Sequence, residues 1–140
     1  MNISTKGRYG LRAILDVAMN GGEKPVTLTM IAARQAISEG YLEQLMVPLK
    51  RNGLVKSIRG AQGGYVLSRS AAEISVGEVF RALEGPIAIT SCASEEDFDG
   101  CGMEDGCLVR ELWQKIQESV SGVIDSYMLA DLMPKQAGGI

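Results

Sequence analysis

The chain has 140 residues but no histidine, and its aromatic share is 5%. Without imidazole, neither a histidine metal ligand nor a histidine base is available, and no other catalytic base constellation stands out. The expectation is a protein that is not an enzyme. No apolar run approaches the roughly 20 residues of a membrane span. The start, MNISTKGRYG, lacks the apolar core of a signal peptide. Both absences point to the cytoplasm and away from a membrane. The three cysteines form no C-x2-C pair, so the usual zinc knuckle spacing is missing. The glycine-rich RGAQGG lacks the G-x-x-x-x-G-K-[ST] spacing of a phosphate loop, and strand-like rather than helical sequence follows it.

What is present is unevenly placed. All three cysteines fall within CASEEDFDGCGMEDGC, residues 92–107, with six acidic residues between them and no basic one. In a reducing compartment such a group reads as metal-binding or redox-active, and an odd number suits a closed set of bridges poorly. Charge is uneven too: residues 1–85 carry a net +4 and residues 86–140 a net −7. A basic front suits nucleic acid, and an acidic back belongs away from phosphate.

The front predicts a chain of short elements. KGRYGLRAILDVAMNGG has helical spacing at Leu11, Ile14, Leu15, Ala18 and Met19, with Ser4 or Thr5 as cap and Gly21 as stop. TLTMIAARQA is a short helix burying Leu28, Ile31 and Ala32. ISEGYLEQLMVPLKRNG offers Ser38 as cap, Leu42, Leu45 and Leu49 as buried stripe and Asn52-Gly53 as stop, with Pro48 expected to kink or loosen it. Two helices across a brief turn have the form of a helix-turn-helix. LVKSIRGAQGGYVLS then reads as strand, tip, strand, which adds a wing. Its tip carries Arg59, and an arginine so placed can enter a narrow minor groove. SVGEVFRALEG is a capped scaffold helix, Ser75 to Glu78 forming a capping box. From Leu108 a stripe through Leu112, Ile116, Val120, Val123 or Ile124 and Tyr127 predicts a long helix. It either crosses its own domain or pairs with a second copy.

The expected fold is mainly α: a winged helix-turn-helix with a small β-hairpin wing and a long C-terminal dimerisation helix. The expected division is 1–85 for DNA binding, 86–107 for the cysteine loop, 108–130 for the dimerisation helix and 131–140 as a disordered tail.

STKGRYGLRAILDVA, ISEGYLEQL, NGLVKSIRGAQGGYVLS, SVGEVFRALEGP and CLVRELW together resemble the IscR-type winged-helix regulators, whose relatives include NsrR and the cluster-free CymR. The resemblance runs from about residue 2 to residue 130. It implies a homodimer on a palindromic double-stranded DNA operator, carrying an iron–sulfur cluster, [2Fe-2S], with Cys92, Cys101 and Cys107 as thiolate ligands. In IscR proteins a histidine three residues after the last cysteine completes the set. Here that position is Arg110, which stays protonated and cannot donate to iron. The first cysteine gap is also longer than the family's usual one. An oxygen ligand is expected instead: Glu95, Glu96, Asp97, Asp99, Glu104, Asp105, Glu111, another residue of the dimer, or solvent. The resemblance favours a readout role for the helix starting at Ser38, with Ser38, Glu39, Tyr41, Glu43 and Gln44 near its N-terminal end. Gln44 suits adenine and Glu43 suits cytosine N4. Lys6, Arg8 and Lys50 are phosphate-contact candidates and Arg59 the wing contact. The alternative function is a cofactor-free repressor of the CymR kind, acting through thiols or a protein partner.

Overall fold

A computed structural model describes residues 3–22, 24–95 and 107–135. Its described elements run α1 (Thr5–Asn20), α2 (Leu28–Gln35), α3 (Glu39–Arg51), β1 (Val55–Ile58), β2 (Gly64–Leu67), α4 (Val76–Glu84), a 3-10 turn (Ser91–Ala93), α5 (Arg110–Ser126) and α6 (Leu129–Leu132). The expected winged helix-turn-helix is present.

Local chemistry sets each start. Ser4, Thr27 and Ser38 accept hydrogen bonds from the amides of Gly7, Met30 and Tyr41 at 3.1–3.2 Å, capping α1, α2 and α3. At α4 the expected capping box is complete: Glu78 N donates to Ser75 Oγ (3.1 Å) and Ser75 N to Glu78 Oε2 (2.9 Å). The assigned α3 continues through Pro48 to Arg51 without a break.

The wing is an antiparallel pair, Val55 opposite Leu67 and Ile58 opposite Gly64. A third strand stub joins it. Val26 N donates to Tyr65 O (2.9 Å) and Tyr65 N to Val26 O (2.7 Å). Gly64, at φ 151, passes so close that a Cβ there would sit 2.6 Å from Val26 O. Any side chain would push the stub off the sheet.

One apolar core joins these pieces: Ala13, Ile14 and Val17 from α1, Ile31 from α2, Leu42, Leu45, Met46 and Leu49 from α3, Val55 from β1, and Val79 and Leu83 from α4. The hydrophobic effect rewards this burial at about 25 cal/mol per Å² of apolar surface. α1 and α4 approach closely because α1 has glycines where they meet: a Cβ on Gly7 would lie 2.5 Å from Phe80, and one on Gly10 would run into Leu83.

The C-terminal region differs from the expectation. The long helix ends at Ser126 rather than reaching residue 130. The backbone then returns to the winged helix-turn-helix: Val76 N donates to Tyr127 O (2.8 Å) and Leu129 N to Ile74 O (2.9 Å). Leu129 enters the common core fully buried. Asp131 and Leu132, which fall in the expected tail, complete α6, and Asp131 Oδ2 accepts from Met128 N at 2.8 Å. The expected dimerisation-helix stripe has a practical physical limit here: a straight 3.6-residue period cannot continue across Tyr127, whose backbone is extended.

Candidate nucleic-acid interface and cysteine site

The helix-turn-helix is pinned by an ion pair with a buried carboxylate that the periodicity of α1 conceals. Asp16 lies among the buried residues of α1 and is 1% exposed. Arg34 Nη2 of α2 reaches its Oδ1 at 2.7 Å and Gln35 Nε2 its Oδ2 at 2.9 Å. Burial pushes this carboxyl up, but the hydrogen bonds from Arg34 and Gln35, with the Arg34 charge, hold it below its ordinary value. A carboxylate inside an apolar stripe signals a partner in the sequence, but not which arginine supplies it.

Ser38 is consumed in part by capping α3. Glu39, Glu43 and Gln44 are exposed on the same helix, and Lys50 is exposed in its last turn. Tyr41 is half-buried, its ring edge-on to Tyr9 of α1 with centroids 6.1 Å apart. Arg8 and Arg12 lie over that Tyr9 ring, at 5.8 and 5.2 Å. Arg12 also donates to Gln35 Oε1 at 3.2 Å. The tyrosine pair therefore places the basic start of α1 beside the exposed start of α3. Arg12 belongs to this surface although no sequence signal singled it out. Lys6 is exposed in the first turn of α1. Arg59 is exposed at the wing tip, next to Gly60 at φ 109. None of Lys6, Arg8, Lys50 and Arg59 forms an ion pair with another described residue. Their charges remain available to phosphate.

The described start of the cysteine segment, Cys92 to Glu95, is anchored on α4 and α5. Cys92 sits in the 3-10 turn, half-buried, its Sγ 3.1 Å from Thr90 Oγ1. Cys107 is also half-buried, three residues ahead of α5, and both thiols are free. Cys101 lies outside the described residues, as do Glu96, Asp97, Asp99, Glu104 and Asp105. Among the described residues no group of three potential ligands forms a metal site. Glu95 is engaged elsewhere. Its carboxylate takes Arg81 Nε at 2.9 Å, Ile87 N at 3.0 Å and Ser121 Oγ at 3.0 Å. The Arg81 hydrogen bond leads these effects and holds its pKa at about 2, against burial. As a candidate oxygen ligand Glu95 is thus already committed to a structural contact. Arg81 also binds Asp125 of α5, Nη1 to Oδ1 at 2.6 Å. Gln117, 6% exposed, completes the anchor by accepting from Ile89 N at 2.7 Å and donating to Ser121 Oγ at 3.0 Å. These polar anchors were missed because they join positions distant in sequence.

The donor set fits an iron–sulfur group in its chemistry. Iron–sulfur clusters are held by cysteine thiolates, and the two described thiols are unbridged. Arg110, at the IscR histidine position, lies at the first residue of α5, its Nε buried and without a partner among the described residues.

Comparisons with known proteins agree with this architecture. Residues 3–135 match the Rrf2 family model, described as an iron-dependent transcriptional regulator. The chain is 44% identical over 136 residues to the HTH-type transcriptional regulator IscR of Serratia proteamaculans, covering 97% of this chain and 81% of that protein. It is 46% identical over 132 residues to the HTH-type transcriptional regulator CymR of Bacillus subtilis, covering 94% and 89%. Among solved structures, B. subtilis CymR superposes with a TM-score of 0.77 at 45% identity, covering 94% of this chain and 95% of that one. IscR of T. potens gives 0.76 at 44% identity, covering 94% and 85%. A match spanning helix-turn-helix, wing and C-terminal helix alike establishes the kinship: the chain belongs to the Rrf2 family of transcriptional regulators.

Proposed function

We propose that this transcription regulator is a cytoplasmic homodimer that binds a palindromic DNA operator and responds to an iron–sulfur cluster, [2Fe-2S], held by Cys92, Cys101, Cys107 and a fourth ligand that is not histidine. The observation that carries the cluster reading is the grouping of every cysteine within residues 92–107, with Cys92 and Cys107 both free and half-buried. When bound, the cluster would supply a redox-sensitive and labile centre. The protein's part is to hold the start of that segment against α4 and α5 through Glu95, Arg81 and Gln117. α4 in turn packs on α1, which carries Lys6 and Arg8. A change in the segment can therefore favour one arrangement of the DNA surface over another, and only such a differential affinity constitutes a response.

On the DNA side, Ser38, Glu39, Tyr41, Glu43 and Gln44 serve the recognition helix, Lys6, Arg8 and Lys50 contact phosphate, and Arg59 enters the groove from the wing. Dimerisation is supported by α5. It carries Leu112 and Val123 more than half exposed, and Leu108 just ahead of it is 98% exposed. Two-fold partners would cover this surface and space two recognition helices for half-sites one helical turn apart.

The test is oxygen-free purification with iron and sulfide analysis, a visible-region spectrum and operator gel shifts. Iron and sulfide are expected, with both lost on replacing all three cysteines by serine. A colourless protein whose operator binding ignores those substitutions supports the second reading, a cofactor-free repressor. The 46% identity to CymR favours that alternative.

A further inference from the structure

Arg12 is held in place without being neutralised. Arg34 is spent on Asp16, Arg69 on Glu78, and Arg81 on Glu95 and Asp125. Each of those guanidiniums meets a carboxylate. Arg12 meets neutral groups: its Nε donates to Gln35 Oε1 at 3.2 Å, its Nη2 donates to Gln35 O, and its guanidinium carbon lies 5.2 Å from the centroid of the Tyr9 ring. Gln35 is itself oriented, because its Nε2 donates to the buried Asp16 carboxylate at 2.9 Å. The Gln35 amide therefore turns its oxygen to Arg12 and its nitrogen to Asp16. Arg12 stays exposed and forms no ion pair with another described residue. Its full charge is left over, together with the guanidinium N–H groups not engaged on Gln35.

The fold sets what that charge can meet. Arg12 follows Arg8 by about one helical turn, so the two share a face of α1 and both lie over Tyr9. Tyr9 stands edge-on to Tyr41 in the first turn of α3. Gln35 ends α2, and Ala36, at φ 56, turns the chain toward Ser38 and α3. Arg12 thus bonds the last residue of α2 and stands one ring away from the start of α3. A free arginine side chain loses rotamer freedom when it binds. Here neutral tethers have limited that freedom beforehand and have left the charge for an anion. Glu39 and Glu43 are exposed on α3, and a cation beside them offsets their repulsion of a duplex.

We propose that Arg12 is a further DNA-binding residue, a preordered phosphate contact beside the start of α3. This rests on the reading that α1 and α3 face DNA, and deepens it. The guanidinium fork suits phosphate oxygens, and each such contact releases counterions from the duplex.

The experiment measures binding of the full chain, as salt is raised, to mixed-sequence duplex DNA and to the operator that wild type selects from randomised duplexes. Wild type is compared with R12M and R12K, with a thermal melt of each. R12M is expected to bind both duplexes several-fold more weakly at low salt. Its plot of log affinity against log salt should flatten by about 0.9 for each Arg12 that meets a phosphate. R12K keeps the charge but not the fork, so it should retain the wild-type slope and lose part of the affinity. A folded R12M with wild-type slope and affinity would overturn the proposal and leave Arg12 a tether between α1 and α2. A loss confined to the selected operator, at unchanged slope, would also overturn it, by assigning Arg12 to a base edge. Wild type that binds neither duplex would defeat the DNA-facing reading instead. Should R12M fail to fold, wild type is treated with phenylglyoxal and modification of Arg12 is followed by peptide mass, with and without the mixed-sequence duplex. Several-fold protection that high salt abolishes is expected, and an unchanged rate overturns the contact.

Discussion

Arg81 holds Glu95 and Asp125 together, its Nε 2.9 Å from Glu95 Oε2 and its Nη1 2.6 Å from Asp125 Oδ1. One guanidinium on α4 thereby ties the segment after Cys92 to the far end of α5.

Glu95→Gln should destabilise the protein by about 1–2 kcal/mol at neutral pH, more than an isolated surface pair because three donors converge on this carboxylate. The folded-state pKa of Glu95 is depressed to about 2 from an ordinary 4.5. Its contribution is therefore complete above 4.5 and disappears as pH falls toward 2. Urea unfolding of both proteins across that range checks the sign: the difference between them should shrink on acidification.

Asp16→Asn should cost about 2–3 kcal/mol, since it weakens the hydrogen bonds from Arg34 and Gln35 to a side chain that is 1% exposed. Arg34, 39% exposed, can return to water, which limits the loss. The depressed Asp16 pKa makes this stabilisation fade as pH drops below the carboxyl's ordinary value of 3.8. Thermal melts with operator gel shifts will show lower stability and weaker binding together if the helix-turn-helix loosens.

Gly10→Ala should destabilise by about 1–3 kcal/mol, because the added methyl collides with Leu83 in a filled core. Gly22→Ala, with nothing within 4 Å of the new atom, is the control. Equal denaturation midpoints for the two would contradict the close approach of α1 and α4.

Arg59→Ala should lower specific operator affinity by about 1–3 kcal/mol if the wing reads a base edge. If it contacts phosphate, the loss should be similar across sequences and the salt dependence of binding should flatten by about one unit. Unchanged affinity would remove the wing from the interface.

The helix-turn-helix and wing were legible because their signals are local. Ser38 caps α3, Leu42, Leu45 and Leu49 mark its buried face, and Asn52-Gly53 stops it within one short window. The Val26–Tyr65 bridge was not legible: a strand of one paired residue has no period, and its partner is far along the chain. The same holds for Gln117. Its amide lies beside an apolar stripe and gains meaning only when Ile89 arrives. Glu95 was chemically plausible as an iron ligand from composition, but the fold brings Arg81 to it first. The expected run of helix to residue 130 went beyond its own apolar stripe, whose last member is Tyr127. Past Ser126 the chain is extended, and Leu129 enters the common core from a separate short helix.

That insertion makes the winged helix-turn-helix dependent on the last part of the chain. Cutting after α4 would remove Leu129 from the core it shares with Ile14, Leu45 and Ile74 and strip the amide partner from Ile74 O. A fragment of residues 1–85 would thus begin life with part of its core missing. Reporter fusions or protease sites meant to isolate the reader should leave residue 129 attached.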